Sequence, residues 1–136
     1  MSTIIQLENK QLHNLAKCWN TLDTGFIEDE IAEDVVYESQ WVFQPMHSKV
    51  KLLSHLNLKF QAIKESMQSE VMNVSAEIAL LPSMSDRPCI VLTQMTAKGL
   101  RQATVLVQIR NKAISRIDVC CIPNPSEAKL TGEFPR

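Results

Sequence analysis

The side chains best suited to chemistry lie close together in one run, EDVVYESQWVFQP, from Glu33 to Pro45. Successive side chains of a β-strand point to opposite faces, so Tyr37, Ser39 and Trp41 share one face of a strand. A phenol and a hydroxyl donate hydrogen bonds, and an indole adds a large apolar surface. The sequence predicts a central strand whose inward face suits a core or an apolar pocket within one. The inward set is Val35, Tyr37, Ser39, Trp41 and Phe43.

Two amphipathic helices are predicted to carry further aromatic residues towards this strand. From Asn9 to Thr21 the apolar residues recur every three or four positions, and Trp19 is among them. Ser48 is a good N-cap for a longer helix from Lys49 to Gln68, whose apolar stripe includes Phe60. Between Phe26 and Ile31 the pattern favours a second, shorter helix after an Asp-Thr-Gly turn.

From residue 70 onward the apolar period changes to alternation, which predicts four more strands. Their ranges are Glu70 to Leu80, Cys89 to Ala97, Arg101 to Arg110 and Ala113 to Ile122. Turns at Lys98-Gly99 and Asn111-Lys112 are short, and short connections favour antiparallel neighbours. We therefore expect one domain over residues 1–122, followed by a tail, residues 123–136, that is loosely ordered or lies across a neighbour.

The composition of the chain argues against several classes of function. With 136 residues, a formal net charge of −1 and no cluster of Lys or Arg, it is not expected to bind nucleic acid. It has no apolar run of the ~20 residues that a membrane helix needs and no signal peptide, so we expect a cytoplasmic protein. Three glycines give no glycine-rich phosphate cradle, and four cysteines without Cys-x-x-Cys spacing favour free thiols. No cofactor and no metal are expected.

The order of elements resembles the nuclear transport factor 2-like superfamily. Within it, the run LAKCWNTLDTGFIEDEIAEDVVYESQW is similar to the first helix, short helix and first strand of bacterial ketosteroid isomerases and polyketide cyclases. The resemblance implies an α+β fold, a cone-shaped barrel in which a curved antiparallel sheet wraps around a long helix, in the order α-α-β-α-β-β-β-β. It also implies a ligand site at the open end of the cone.

The isomerases of that branch use a Tyr on the first helix and two Asp residues on strands. The resemblance places these three roles at Leu15, Ser39 and Val107. Leu and Val donate no hydrogen bond, and a serine without a neighbouring base is a poor proton acceptor. We therefore expect this chain to lack the catalytic residues of the branch. His55 is read as a partly exposed structural histidine rather than as part of a dehydratase dyad.

The leading functional hypothesis is a small-molecule binding protein with an apolar, aromatic-lined pocket. Its predicted lining is Trp19, Tyr37, Ser39, Trp41, Phe60 and Val107. The same side chains are also suited to filling a core. The alternatives are an isomerase-, dehydratase- or cyclase-type enzyme that uses Tyr37 with a base that the sequence does not locate, and a protein-interaction module.

A homodimer is expected through the outer face of the sheet, where polar and apolar residues are mixed. On the third and fourth predicted strands of the meander this face carries Gln102, Thr104, Leu106, Gln108, Arg110, Arg116, Asp118 and Cys120.

Overall fold

Two helices pack against one face of a six-stranded sheet in the computed structural model, which describes residues 4–41, 44–68 and 72–136. The helices are α1 (Ile4–Thr21) and α2 (Lys49–Gln68). The strands are β1 (Ile31–Ser39), β2 (Met72–Leu81), β3 (Arg87–Thr96), β4 (Gly99–Arg110), β5 (Ala113–Cys120) and β6 (Lys129–Glu133). The strand order is β1-β5-β4-β3-β2-β6, and the curved sheet does not close on itself. The predicted α+β class is confirmed.

Helix α2 follows the sequence pattern closely, α1 begins at Ile4 rather than at the predicted Asn9, and the short second helix does not form. Helix α2 has its predicted bounds, and the hydroxyl of Ser48 caps it by accepting a hydrogen bond from the Lys51 amide at 3.1 Å. The second helix is reduced to one 3-10 turn, Thr24–Phe26, because β1 already begins at Ile31. Asp23 caps that turn by accepting a bond from the Gly25 amide at 2.9 Å.

Strand β1 departs from the predicted antiparallel sheet, since it pairs in parallel with β5. The long connection through α2, β2, β3 and β4 allows this pairing. The strand also ends earlier than predicted, at Ser39, whose hydroxyl accepts a hydrogen bond from the Trp41 amide at 3.1 Å. Trp41 therefore lies in a turn beyond the strand, and the predicted inward position of Phe43 lies outside the described residues.

Both predicted hairpins form, one of them shifted by a residue. Asn111 and Lys112 have positive φ angles of 53° and 65°, as the tight turn between β4 and β5 requires. In the other hairpin the turn residues are Ala97 and Lys98, because Gly99 already pairs with Thr96 as the first residue of β4. The predicted start of β2, at Glu70, lies outside the described residues.

The core lies between the two helices and the inner face of the sheet. The alternation of β4 and β5 was predicted correctly, since Val105, Val107, Ile117 and Val119 are all buried on this face. Helix α1 packs on β2, β3 and β4, and α2 packs on β1 and β2. Their apolar stripes close over the sheet in one continuous cluster.

The C-terminal segment crosses the outer face of the sheet and then adds β6 antiparallel to β2. It covers a second apolar cluster, which we call the outer cluster and which consists of Ala79, Leu81, Cys89, Val91 and Leu106. The hydroxyl of Thr104 donates a hydrogen bond to the Pro123 carbonyl at 2.7 Å. Thr104 and Leu106, expected on an open outer face, are thus buried within one chain, and the tail lies across neighbouring strands.

Candidate functional site

Four of the six predicted pocket residues lie within the core. Trp19, Tyr37, Phe60 and Val107 are each at most 3% exposed. The Trp19 and Phe60 rings meet edge to face, with centroids 5.0 Å apart and planes at 77°. This contact joins the end of α1 to the middle of α2 beneath the sheet, and such pairs contribute roughly 0.5–1.5 kcal/mol beyond their buried area.

Tyr37 and His55 form a second aromatic contact, with ring centroids 5.7 Å apart. Burial raises the pKa of the Tyr37 phenol to about 12, so its proton stays in place at neutral pH. Burial, with a smaller effect from the Lys59 charge, lowers the pKa of His55 and favours the neutral ring. The Nε2 atom of His55 is buried and has no hydrogen-bond partner among the described residues.

The three positions assigned to isomerase catalysis are all occupied by poorly reactive, buried side chains. Leu15 and Val107 belong to the core cluster, and the Ser39 hydroxyl is engaged in the turn to Trp41. The nearby carboxylates point outward. Glu38 pairs with Arg116 at 2.8 Å, and Asp34 pairs with Arg110 at 2.7 Å. Neither carboxylate is directed at Tyr37, so neither supplies the base that an enzyme would need there.

Trp41 is half-buried and lies against two cations, at the end of the sheet where β1 and β3 finish. The Lys59 ammonium lies 5.2 Å from the centroid of its ring and 5.5 Å from that of Trp19. The guanidinium carbon of Arg101 lies 4.0 Å from the same Trp41 centroid. Arg101 also donates a hydrogen bond from Nε to the side-chain oxygen of Gln94 at 2.7 Å. We call Trp41, Lys59, Gln94 and Arg101 the mouth cluster.

The electrostatics of the mouth cluster are unbalanced. Burial and, to a lesser extent, the charge of Arg101 lower the pKa of Lys59 to about 8. Within the described residues, no carboxylate lies within ion-pair distance of Lys59 or Arg101. Two positive charges therefore meet on one aromatic surface without an anion between them among these residues.

A groove of about 420 Å³ adjoins this cluster, and we call it the hairpin groove because the β3–β4 hairpin forms it. Its lining is Gln94, Thr96, Lys98, Gly99, Leu100 and Arg101. Gln94 and Arg101 belong to both features, so the groove leads directly to Trp41. A smaller depression of about 150 Å³ lies at the β1–β5 edge and includes Ser39 and Asp118.

Sequence reasoning missed Lys59, Gln94 and Arg101, although a signal for each was present. Lys59 follows Leu56 by three residues and therefore falls on the buried face of α2. The alternation that directs Leu92 inward directs Gln94 inward as well, and the same argument applies to Arg101 beside Ala103. In each case the signal was a polar residue at a position that the helical or strand period directs to the buried face.

No protein-family model matches the chain, and no curated protein matches it significantly. Solved structures do. A candidate polyketide cyclase from Xanthomonas campestris pv. campestris superposes with a TM-score of 0.61 at 10% identity, covering 87% of this chain and 92% of that one. An uncharacterised cystatin-fold protein from Novosphingobium aromaticivorans gives 0.57 at 8% identity, covering 88% and 98%. A nuclear transport factor 2-like protein of unknown function from Cytophaga hutchinsonii gives 0.55 at 12% identity, covering 84% and 97%.

This chain has the nuclear transport factor 2-like fold. The expectation drawn from the order of its elements is confirmed at the level of the fold. At these identities the likeness describes the architecture, and a fold hosts many functions, so function must be argued from the mouth cluster. Among the described residues, no three of His, Cys, Asp and Glu are placed to share a metal ion. None of the described helices has the length and apolar content needed to cross a bilayer.

Proposed function

We propose that this protein binds a small apolar molecule at the mouth cluster, where the hairpin groove meets Trp41. The observation that carries the proposal is the indole of Trp41, half-buried and directed towards polar groups beside a groove of about 420 Å³. Ligand sites combine an apolar surface with a few placed polar groups, and their volumes are roughly 300–1,000 Å³. Several structural neighbours are candidate polyketide cyclases, which agrees with a ligand site in this fold.

The proposed binding surface is shallower than the pocket predicted from the sequence. Trp19 and Phe60 contact each other and Tyr37 contacts His55, so these rings form a wall beneath the site. Of the four aromatic residues in the predicted pocket, Trp41 is the accessible one, and Ser39 accepts a hydrogen bond from its amide in the turn. In this arrangement the ligand packs on Trp41, and the deeper aromatics keep that indole rigid.

Two-dimensional NMR of the labelled protein with a panel of small aromatic compounds tests this function. Saturable shifts at the Trp41 indole N–H and the Arg101 side chain are expected for at least one compound. Trp41→Ala should weaken that binding about tenfold or more, equivalent to roughly 1.4 kcal/mol, because it removes the packing surface. Phe26→Ala, which alters an exposed aromatic elsewhere, serves as the control. If no compound perturbs the mouth cluster, or if shifts map elsewhere, the proposal is wrong.

A second candidate function is proton transfer, and it is favoured by the contact of His55 with Tyr37. A neutral imidazole accepts a proton, and a protonated phenol donates a hydrogen bond to a developing oxyanion. His55 would then be the base that the sequence did not locate, and its unpartnered Nε2 is consistent with that role. Tyr37 is 3% exposed, so this chemistry requires the packing around Tyr37 to open for a substrate.

Deuterium exchange tests this second candidate without knowledge of the substrate. Enolisable ketones incubated with the protein in D₂O would lose α-hydrogens faster than in buffer alone, and NMR measures the loss. His55→Gln should abolish the excess exchange and Tyr37→Phe should reduce it, whereas His47→Gln should leave it unchanged because His47 is exposed. Exchange no faster than in buffer for every ketone would rule out this chemistry for the panel.

A further inference from the structure

The two cations of the mouth cluster are placed on aromatic rings rather than on carboxylates. Lys59 lies on α2, contacts both indoles and is half-buried. Arg101 lies on β4, stacks on Trp41 and is fixed by its hydrogen bond to Gln94. The contact of an ammonium with an indole is attractive, but it leaves the buried ammonium without a negative partner and close to a second cation.

A cation pair that no described carboxylate neutralises favours an anion in its vicinity. The carboxylates that form ion pairs among the described residues lie elsewhere: Asp34 and Glu38 pair with arginines on the outer face of the sheet, and Glu133 on β6 pairs with His13 on α1. Within these residues the charged and titratable groups facing Lys59 are Arg101 and His55, and Lys98 lies further along the groove. Each of them is basic, so the local potential is positive at neutral pH.

We propose that the ligand of this site is an aromatic or otherwise apolar organic anion, whose carboxylate or similar group interacts with Lys59 and Arg101 while its apolar body packs on Trp41. This inference rests on the proposed function and deepens it by naming the class of ligand. Arg101 offers a planar fork of donors suited to a carboxylate, and Lys59 adds a point charge. Gln94 keeps the guanidinium oriented.

The matched pair 2-naphthoate and 2-naphthamide separates charge from shape, because the two molecules differ at the anionic group. Titration by NMR or calorimetry at neutral pH should show 2-naphthoate binding at the mouth cluster about tenfold or more tightly than 2-naphthamide. The reason is that a carboxylate forms charge-assisted hydrogen bonds with the two cations, which are stronger than the bonds of a neutral amide. Added salt should reduce the preference.

Variants assign the preference to named residues. Lys59→Met and Arg101→Met should each reduce the ratio towards one, while Lys64→Met, on the exposed face of the same helix, should leave it unchanged. Near-ultraviolet circular dichroism verifies that each variant is folded. If a variant does not fold, the wild-type protein provides the test. Its preference for 2-naphthoate over 2-naphthamide should fall between pH 7 and pH 9 as Lys59 loses its charge.

These experiments distinguish failure of the anion proposal from failure of the proposed binding function. Equal affinity of the two probes at Trp41, or a preference that survives both variants, overturns the anion proposal and leaves the proposed function standing. If neither probe binds at Trp41 while an uncharged compound of the panel does, the anion proposal alone is wrong; if no compound binds there, both proposals are wrong. A naphthoate preference that disappears in Lys59→Met and Arg101→Met but persists in Lys64→Met supports both.

Discussion

At the scale of single residues, Lys59 illustrates how a charged side chain comes to lie in a core-facing position. It shares the buried face of α2 with Leu56 and Ile63, and its aliphatic stem packs there while the ammonium reaches the indoles. The position is costly for a cation, since burial and Arg101 both lower its pKa. The contacts of Lys59 with two indoles, beside the groove at Trp41, place this cation within the proposed site.

Replacing Lys59 by Met should therefore stabilise the fold at neutral pH. The unfolded chain holds the Lys59 proton up to about pH 10.5, and the folded chain releases it near pH 8. Wild-type stability consequently rises with pH across that window, and the advantage of Lys59→Met shrinks. At about 1.4 kcal/mol per pKa unit, lowering the pKa from 10.5 to about 8 limits the advantage below pH 8 to about 3–4 kcal/mol.

Urea unfolding at pH 7 and pH 10 measures this gap, with Lys64→Met as the exposed control. A Lys59→Met variant that is less stable than wild type at pH 7 would show that the cation–aromatic contacts outweigh desolvation.

His55 should make the fold sensitive to acid. Its pKa is lowered in the folded state by burial and by Lys59, so below about pH 6.5 the unfolded chain binds more protons than the folded one. Stability then falls as the pH falls through that range. In His55→Gln the free energy of unfolding, measured by urea titration between pH 7.5 and pH 5, should decline less than in wild type. His47→Gln is the exposed control, and an unchanged slope in His55→Gln would contradict the prediction.

The alternation of strands and the spacing of helices predicted that Trp19, Tyr37, Phe60 and Val107 face inward, and they do. Whether an inward side chain lines a cavity or fills a core depends on partners that are distant in sequence. Phe60 occupies the space beside Trp19 although 41 positions separate them. The pattern of one strand or helix contains no information on that pairing.

At the scale of elements, α2 was predicted to the residue because its cap, its stripe and its length all agree. Strand β1 was predicted too long, since Val42 and Phe43 have strong strand propensity while the turn is formed by the single hydroxyl of Ser39. A local hydrogen bond of this kind ends a strand without changing its composition, so the pattern of apolar residues does not reveal it.

The two faces of α2 should respond very differently to the same substitution. Leu56 is 1% exposed and Leu58 is 71% exposed, so Leu56→Ala creates a cavity and Leu58→Ala does not. We expect Leu56→Ala to cost roughly 2–5 kcal/mol and Leu58→Ala less than about 0.5 kcal/mol. Chemical denaturation of the two variants measures the difference. Equal losses would mean that α2 does not pack on the sheet through the face described above.

At the scale of the whole molecule, the sequence predicted the meander and left the docking of the tail as one of two alternatives, but it did not predict the parallel pairing of β1 with β5. Both depend on contacts between segments far apart in the chain. The tail is held by several small contacts, including the Asn20 side chain on the Pro135 carbonyl at 2.8 Å and His13 on Glu133 at 3.0 Å. None of these side chains has a distinctive sequence pattern, so only the folded arrangement shows that the tail covers the outer cluster.

The remainder of the outer face is open, and we propose that two copies of the chain pack together there. Met95 on β3 and Leu100 on β4 are opposite one another, more than half exposed, and bordered by the polar residues Thr93 and Gln102. An apolar centre with a polar rim is typical of a protein interface. The tail confines this surface to the β3–β4 hairpin end of the sheet.

Sedimentation or light scattering of the purified protein should therefore give a dimer that Met95→Lys converts to monomer, because the substitution buries an unpaired charge at the centre of the contact. Met67→Lys, at an exposed methionine on α2, should leave the dimer intact. Since Met95 lies on the face opposite Gln94, Met95→Lys should not alter binding of 2-naphthoate at the mouth cluster. A wild-type monomer at all concentrations, or equal effects of the two lysine variants, would show that this face is not the interface and that the two apolar side chains are simply solvent-exposed.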